Sequence, residues 1–101
     1  VSLEDKIIAL AKYFKIAHQI SGRVRFKVSS SIVKNSIGLA LSDIDEIQKK
    51  LNGIKSIRVN KMALSVTISY DSSLIEDSFW IELIQSNDKE YLSQKLTKLI
   101  K

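Results

Sequence analysis

The segment His18-Gln19-Ile20-Ser21-Gly22-Arg23-Val24-Arg25-Phe26-Lys27-Val28 ends in strict alternation. Val24, Phe26 and Val28 fall on one face of an extended chain, and Arg23, Arg25 and Lys27 fall on the other. A period of two marks a strand with one buried side. Gly22 interrupts the run and is a candidate bulge, which leaves the facing of His18 and Ile20 open.

On the N-terminal side, Leu3, Ile7, Leu10 and Phe14 recur at helical spacing, and Ser2 followed by Asp5 resembles a capping box, so a helix is expected over residues 3–15. On the C-terminal side, residues 29–35 read as a loop. Ile37, Leu41, Ile44, Ile47 and Leu51 then form the apolar stripe of a helix, stopped by Asn52-Gly53 as a left-handed cap. Ile57 and Val59 alternate with Ser56, Arg58 and Asn60, and Leu64, Val66, Ile68 and Tyr70 alternate with Ser65, Thr67 and Ser69. These are two strands joined by a short hairpin. Leu74-Ile75 with Phe79, Trp80, Leu83 and Ile84 give a further helix, and Leu92, Leu96, Leu99 and Ile100 a last one, with Asn87 and Glu90 spaced as its capping pair. No fourth strand is evident. The order is helix, strand, helix, strand, strand, helix, helix, which is α+β with helices on one face of an antiparallel sheet of three or four strands.

With 101 residues, 45% of them hydrophobic and 27% charged, the chain has the size and balance of one domain with one core. It contains no cysteine, which excludes disulfides, thiolate metal sites and cysteine nucleophiles and suits either redox compartment. Its apolar runs extend over a few residues, far short of the roughly 20 needed to span a bilayer. The chain starts at Val1 rather than Met, consistent with removal of preceding residues. The net charge of +5 favours acidic partners, although the basic residues are spread along the chain.

His18, Gly22, Arg23 and Arg25, followed by Gly53-Ile54, Val59-Asn60 and Tyr70-Asp71, resemble the heavy-metal-associated domain superfamily. The resemblance is closer to its divergent branch, whose strand opens with a histidine, then Gly-Arg and a second Arg. It covers about half the chain. It implies a ferredoxin-like sandwich as one domain over residues 1–101, with a core at about 16–86 and helical extensions at 1–15 and 87–101. Typical members bind soft metal ions through a CxxC loop after the first strand. The corresponding loop here, residues 29–35, has no thiol, so thiol-based copper binding is not expected. The branch resembles an accessory module of metal transport or storage systems, so a non-enzymatic accessory or interaction domain of a metal transport, trafficking or storage system is expected, and a cytoplasmic location is favoured.

Arg23, Arg25, Lys27 and Arg58 are the candidate partner-binding residues. Guanidiniums clustered on the face opposite the core bind carboxylates and phosphates in bidentate fashion, whereas the plainer reading is a solvated sheet face. His18 is the sole histidine and the candidate ligand for a metal ion or haem iron. A protein metal site commonly needs three or four ligands, so His18 would need carboxylates or a second copy of the chain; otherwise it is a hydrogen-bonded structural residue. Met62 reads as a turn or packing residue. Asp43, Asp45, Glu46, Asp71, Glu76 and Asp77 read as helix-face and helix-start acids. There is no Gly-rich phosphate loop, nucleophile triad or metal-protease spacing, and catalysis is not expected. RNA binding on such a sheet places aromatics on the exposed face, whereas Phe26 and Tyr70 share parity with core residues, so nucleic acid is disfavoured as a partner. The apolar stripes of the first and last helices exceed what three strands need, and a homodimer or a stable complex with a protein partner is expected through Leu10, Phe14, Leu96 and Leu99.

Overall fold

The computed structural model describes residues 3–28, 37–60 and 62–100, with the side chains of 37–43 outside the description. The loop expected at 29–35, the Ser2 cap and the Asp43 side chain lie outside the described residues. The elements are α1 (Leu3–Ala11), β1 (Phe14–Ile20), β2 (Arg23–Val28), α2 (Ile37–Lys50), β3 (Ile54–Asn60), β4 (Ser65–Tyr70), α3 (Asp77–Gln85) and α4 (Lys89–Leu99). The strands form one antiparallel four-stranded sheet in the order β1-β2-β4-β3.

The fourth strand is β1, and it corrects the reading of the N-terminal third. The helix stops at Ala11, Phe14 pairs with Val28, and Ser21-Gly22 is the two-residue turn of a hairpin rather than a bulge inside one long strand. Gly22 takes a φ of +87°, which an L side chain resists. The bulge lies earlier, where the register shifts between Ile16 and His18. Ile16 pairs with Phe26 and faces the core, Ala17 is the extra residue, and His18 pairs with Arg25 on the opposite face. The same shift turns Gln19 inward and leaves Ile20 49% exposed.

The elements β2-α2-β3-β4-α3 supply five members of the βαββαβ order of a ferredoxin-like unit. The remaining partner of β2 comes from the N-terminal side as β1, with no strand after α3 among the described residues.

The core lies between this sheet and the helices. Val24 is fully buried, and Phe26, Val66 and Tyr70 join it from β2 and β4. Trp80 of α3 is the aromatic hub, with ring centroids 5.9 Å from Phe26, 5.2 Å from Tyr70 and 5.2 Å from Phe79. Such tilted and edge-on contacts suit the ring quadrupoles. Ile7, Ile8 and Ala11 of α1 and Leu92 and Leu96 of α4 are buried in the same cluster, against which Leu10, Phe14 and Leu99 pack. The Asn52 amide donates to the Leu99 carbonyl at 2.7 Å, and Leu51 bridges Ile100, tying the end of α4 to the end of α2.

The terminal helices therefore close the domain's own core. Their stripes look surplus only when the sheet is counted one strand short: Leu96 is buried within the single chain, and Leu10, Phe14 and Leu99 are half-buried against the same cluster. The last helix is capped by Asp88, whose side chain accepts the Tyr91 amide, not by Asn87.

Two glycine turns hold the end of β4. The Tyr70 amide donates to the Gly22 carbonyl at 2.9 Å, and the Asp71 amide donates to the Gly53 carbonyl at 2.7 Å. Gly53 has a φ of +89°, and a Cβ there would meet the Ile75 side chain at 3.1 Å and the Leu74 Cβ at 3.2 Å. At Gly22 the nearest atom to an added Cβ, the Tyr70 carbonyl oxygen, is 3.4 Å away. Both alanine variants carry a left-handed backbone cost of about 1–2 kcal/mol, and only Gly53→Ala adds a tight contact. Urea unfolding is expected to rank Gly53→Ala as the more destabilised of the two.

Candidate functional site

The outer face of the sheet is organised by register into rows. His18, Arg25, Thr67 and Arg58 are successive cross-strand partners from β1 through β2 and β4 to β3. One row to one side stand Ile20, Arg23, Ser69 and Ser56, and one row to the other stand Lys15, Lys27, Ser65 and Asn60. A shift in β3 between Ile54 and Ser56 brings Ser56 beside Ser69. The central strand offers only hydroxyl side chains to this face, so its floor is low and the flanking cations are tall.

A shallow concavity of about 640 Å³ results, lined by His18, Arg23, Arg25, Arg58, Val59, Asn60, Met62, Ser65 and Thr67. It unites four of the residues singled out in the sequence: His18, Arg23, Arg25 and Arg58. Lys27 is on the same face one row away and does not line the concavity. Met62 stands at the rim, 98% exposed, in a turn rather than in packing.

Charges are partitioned between the two sides of the molecule. On the helical side Glu46 pairs with Lys6 and Lys50, Asp5 with Lys89, and Glu82 with Lys95. Lys50 is the largest influence holding the Glu46 carboxyl below its ordinary value, followed by Lys6. On the sheet face, Lys15, Arg23, Arg25, Lys27 and Arg58 are exposed, and no acid occupies the three rows. Their side chains, and that of His18, make no hydrogen bond or ion pair with any described residue.

The other residues of the sequence pattern do have partners. Gly22 and Gly53 hold β4 as above. Asn60 accepts the Ala63 amide at 3.0 Å and closes the β3–β4 turn. Asp71 accepts from the Ser73 amide at 2.9 Å and its hydroxyl at 2.6 Å, an Asx turn that lowers the carboxyl's pKa. The Tyr70 hydroxyl donates to Asp77 Oδ1 at 2.5 Å, and Gln19 Nε2 donates to the Tyr70 hydroxyl at 3.3 Å and to the Asp77 carbonyl at 2.6 Å. This node ties β1 and β4 to the start of α3. Gln19 was not legible as part of it, because its inward facing depends on the bulge at Ala17.

A second concavity, of about 80 Å³, lies in the core and is lined by apolar side chains that include Phe14, Phe26, Ile47, Val66, Trp80 and Leu96. Trp80 Nε1 is buried without a hydrogen-bond partner among the described residues. His18 does not line this cavity.

Residues 7–98 match the family described as heavy metal associated domain 2. The chain belongs to that family. The match includes most of both helical extensions, in keeping with their place in the core. No curated protein matches the chain, and no solved structure does. Heavy metal associated domains serve in general as metal-binding or interaction modules rather than catalysts. In this member, no group of three or more His, Cys, Asp and Glu residues is placed to hold a metal ion among the described residues. His18 shares its concavity with three guanidiniums, which have no lone pair to offer and repel a cation, and with Asn60 and Met62, and no second His, Cys, Asp or Glu lines it. Among the described residues, no helix is long and apolar enough to cross a membrane.

The Tyr70–Asp77 node makes stability depend on pH at both extremes. The Tyr70 hydroxyl holds the Asp77 carboxyl below its ordinary value, with help from Ser21 and the Gly22 backbone. A depressed folded pKa gives stability that is present above the unfolded value, about 4, and is lost as pH falls through the folded one. Burial, then Asp77, pushes the Tyr70 hydroxyl up. A raised folded pKa gives stability that is present below about 10 and is lost as pH rises through the folded value. In urea titrations across pH, Tyr70→Phe is expected to lose about 1 kcal/mol at neutral pH and to show a shallower acid limb than the wild type. An acid limb of unchanged slope would remove Asp77 from the account.

Proposed function

We propose that this domain is a non-enzymatic interaction module of a metal transport, trafficking or storage system, and that it docks an acidic protein partner on the outer sheet face. Arg23, Arg25, Lys27 and Arg58 make the contact. The observation that carries this reading is that their side chains make no hydrogen bond or ion pair with any described residue, whereas Asp5, Glu46 and Glu82 on the helical side are paired with lysines. Unpaired like charges brought close together oppose folding, and such a cost is commonly kept at functional sites. Guanidinium groups also suit carboxylates geometrically, since each presents a planar fork of donors. Family membership supports the metal-system context.

The same face supports nucleic acid poorly. Phe14, Phe26 and Tyr70 belong to the core side, so the rows offer no aromatic platform on which a base could stack.

A poly-glutamate peptide serves as the acidic probe, with binding followed by fluorescence anisotropy at low and physiological salt. The double variant Arg23→Glu, Arg25→Glu is expected to bind about tenfold more weakly or worse, while its thermal unfolding stays close to that of the wild type, because both side chains are exposed. Affinity that is unchanged in the folded double variant would exclude the basic face from partner capture. Retention of a single-stranded RNA more tightly than of the peptide would favour the rejected alternative.

A further inference from the structure

The centre of the basic face has a more specific geometry than a general positive patch. Thr67 on β4 is the direct cross-strand partner of both Arg25 on β2 and Arg58 on β3. Adjacent strands stand about 4.8 Å apart, so the two arginines rise from backbone positions about 10 Å apart with one hydroxyl midway between them. Their long side chains can converge above that hydroxyl. Arg23 and His18 line the same concavity. The groups brought together are thus forks of N–H donors over a hydroxyl, with no carboxylate facing them in the three rows.

That arrangement selects for the charge and shape of a ligand. A bare metal cation meets only repulsion from the guanidiniums. A single carboxylate carries one negative charge and two oxygens in a plane, which one arginine satisfies. A tetrahedral dianion carries two charges and presents oxygens in several directions, so two opposed guanidiniums and a hydroxyl below can engage it together.

We infer that Arg25, Arg58 and Thr67 form a binding site for a tetrahedral dianionic oxyanion, with Arg23 and His18 at its side. This rests on the reading of the outer face as a binding surface and gives that face a small-molecule ligand. Phosphate and metal oxyanions share the required chemistry. In a heavy metal associated domain without thiols, the second source would let the site meet a metal as its oxyanion rather than as a cation.

Titration calorimetry on the full chain, in phosphate-free buffer at low ionic strength, tests the assignment with phosphate, sulfate, molybdate, acetate and zinc ion as separate probes. The dianions are expected to bind about tenfold or more tightly than acetate. Arg25→Gln and Arg58→Gln are each expected to lower dianion affinity about tenfold, Arg25→Lys to restore it only in part, and Thr67→Val to lower it severalfold. Circular dichroism melts confirm that each variant is folded. Preference for molybdate over sulfate and phosphate identifies a metal oxyanion as the source, and the reverse order identifies phosphate.

Acetate binding as tightly as the dianions, or folded glutamine variants with unchanged affinity, would overturn the inference. So would zinc binding that depends on His18 in the absence of any dianion binding. Peptide binding on the same samples separates this idea from the docking reading. Poly-glutamate affinity that stays sensitive to Arg23→Glu, Arg25→Glu while no dianion binds defeats only the oxyanion site. Loss of that sensitivity with dianion binding intact defeats only the docking reading.

Discussion

β2 runs between β1 and β4, with Val24 fully buried and Phe26 6% exposed, and its register separates the core from the molecule's unpaired charge. Because side chains alternate with a period of two, burying Val24 and Phe26 places Arg23, Arg25 and Lys27 outside together. A slip of one residue would bring two arginines and a lysine against Trp80, and the uncompensated charge would cost more than the lost apolar contacts. The flanking strands inherit this choice. Pairing with β2 puts Ile68 and Val66 on the inner side of β4 and Thr67 on the outer, and β3 follows with Ile57 inside and Arg58 outside. The basic rows are thus a consequence of how the core is buried.

The helical side solves its own electrostatic problem locally. Its ion pairs are exposed or half exposed and screened by solvent, so their importance is less in stability than in cancelling charge. Cancellation there leaves much of the net positive charge concentrated on the sheet. The family pattern divides in the same way. Gly22, Gly53, Asn60, Tyr70 and Asp71 close turns, receive backbone amides or join the Asp77 node, whereas His18, Arg23 and Arg25 have no such duty among the described residues.

Much of the fold is legible where period and parity agree. The alternation in β2 and β4, the stripe of α2 and the helical spacing of Phe79, Trp80 and Leu83 all lead to the elements observed. β1 is hidden for two physical reasons. Phe14 satisfies a helical stripe and a strand end equally well, and the bulge at Ala17 breaks the alternation that would have revealed the strand. With β1 missed, α1 and α4 look oversupplied with apolar surface. On the candidate site, parity alone places Arg23, Arg25, Lys27 and Arg58 on one face. Which of them meet is a matter of register, and Thr67 acquires its central position, and His18 its place beside Arg25, only through cross-strand pairing.

A group of arginines shaped for an external partner should be a burden on the free domain, because like charges about 10 Å apart on one face repel each other across β4 and salt screens that repulsion. The direct measurement is urea unfolding of the free protein at low ionic strength, comparing the wild type with the Arg25→Gln, Arg58→Gln double variant. The double variant is expected to unfold at the same or a higher urea concentration, with the difference shrinking as salt is added. A loss of more than about 1 kcal/mol, insensitive to salt, would show that the arginines hold the sheet together and would contradict the division between structural and binding residues.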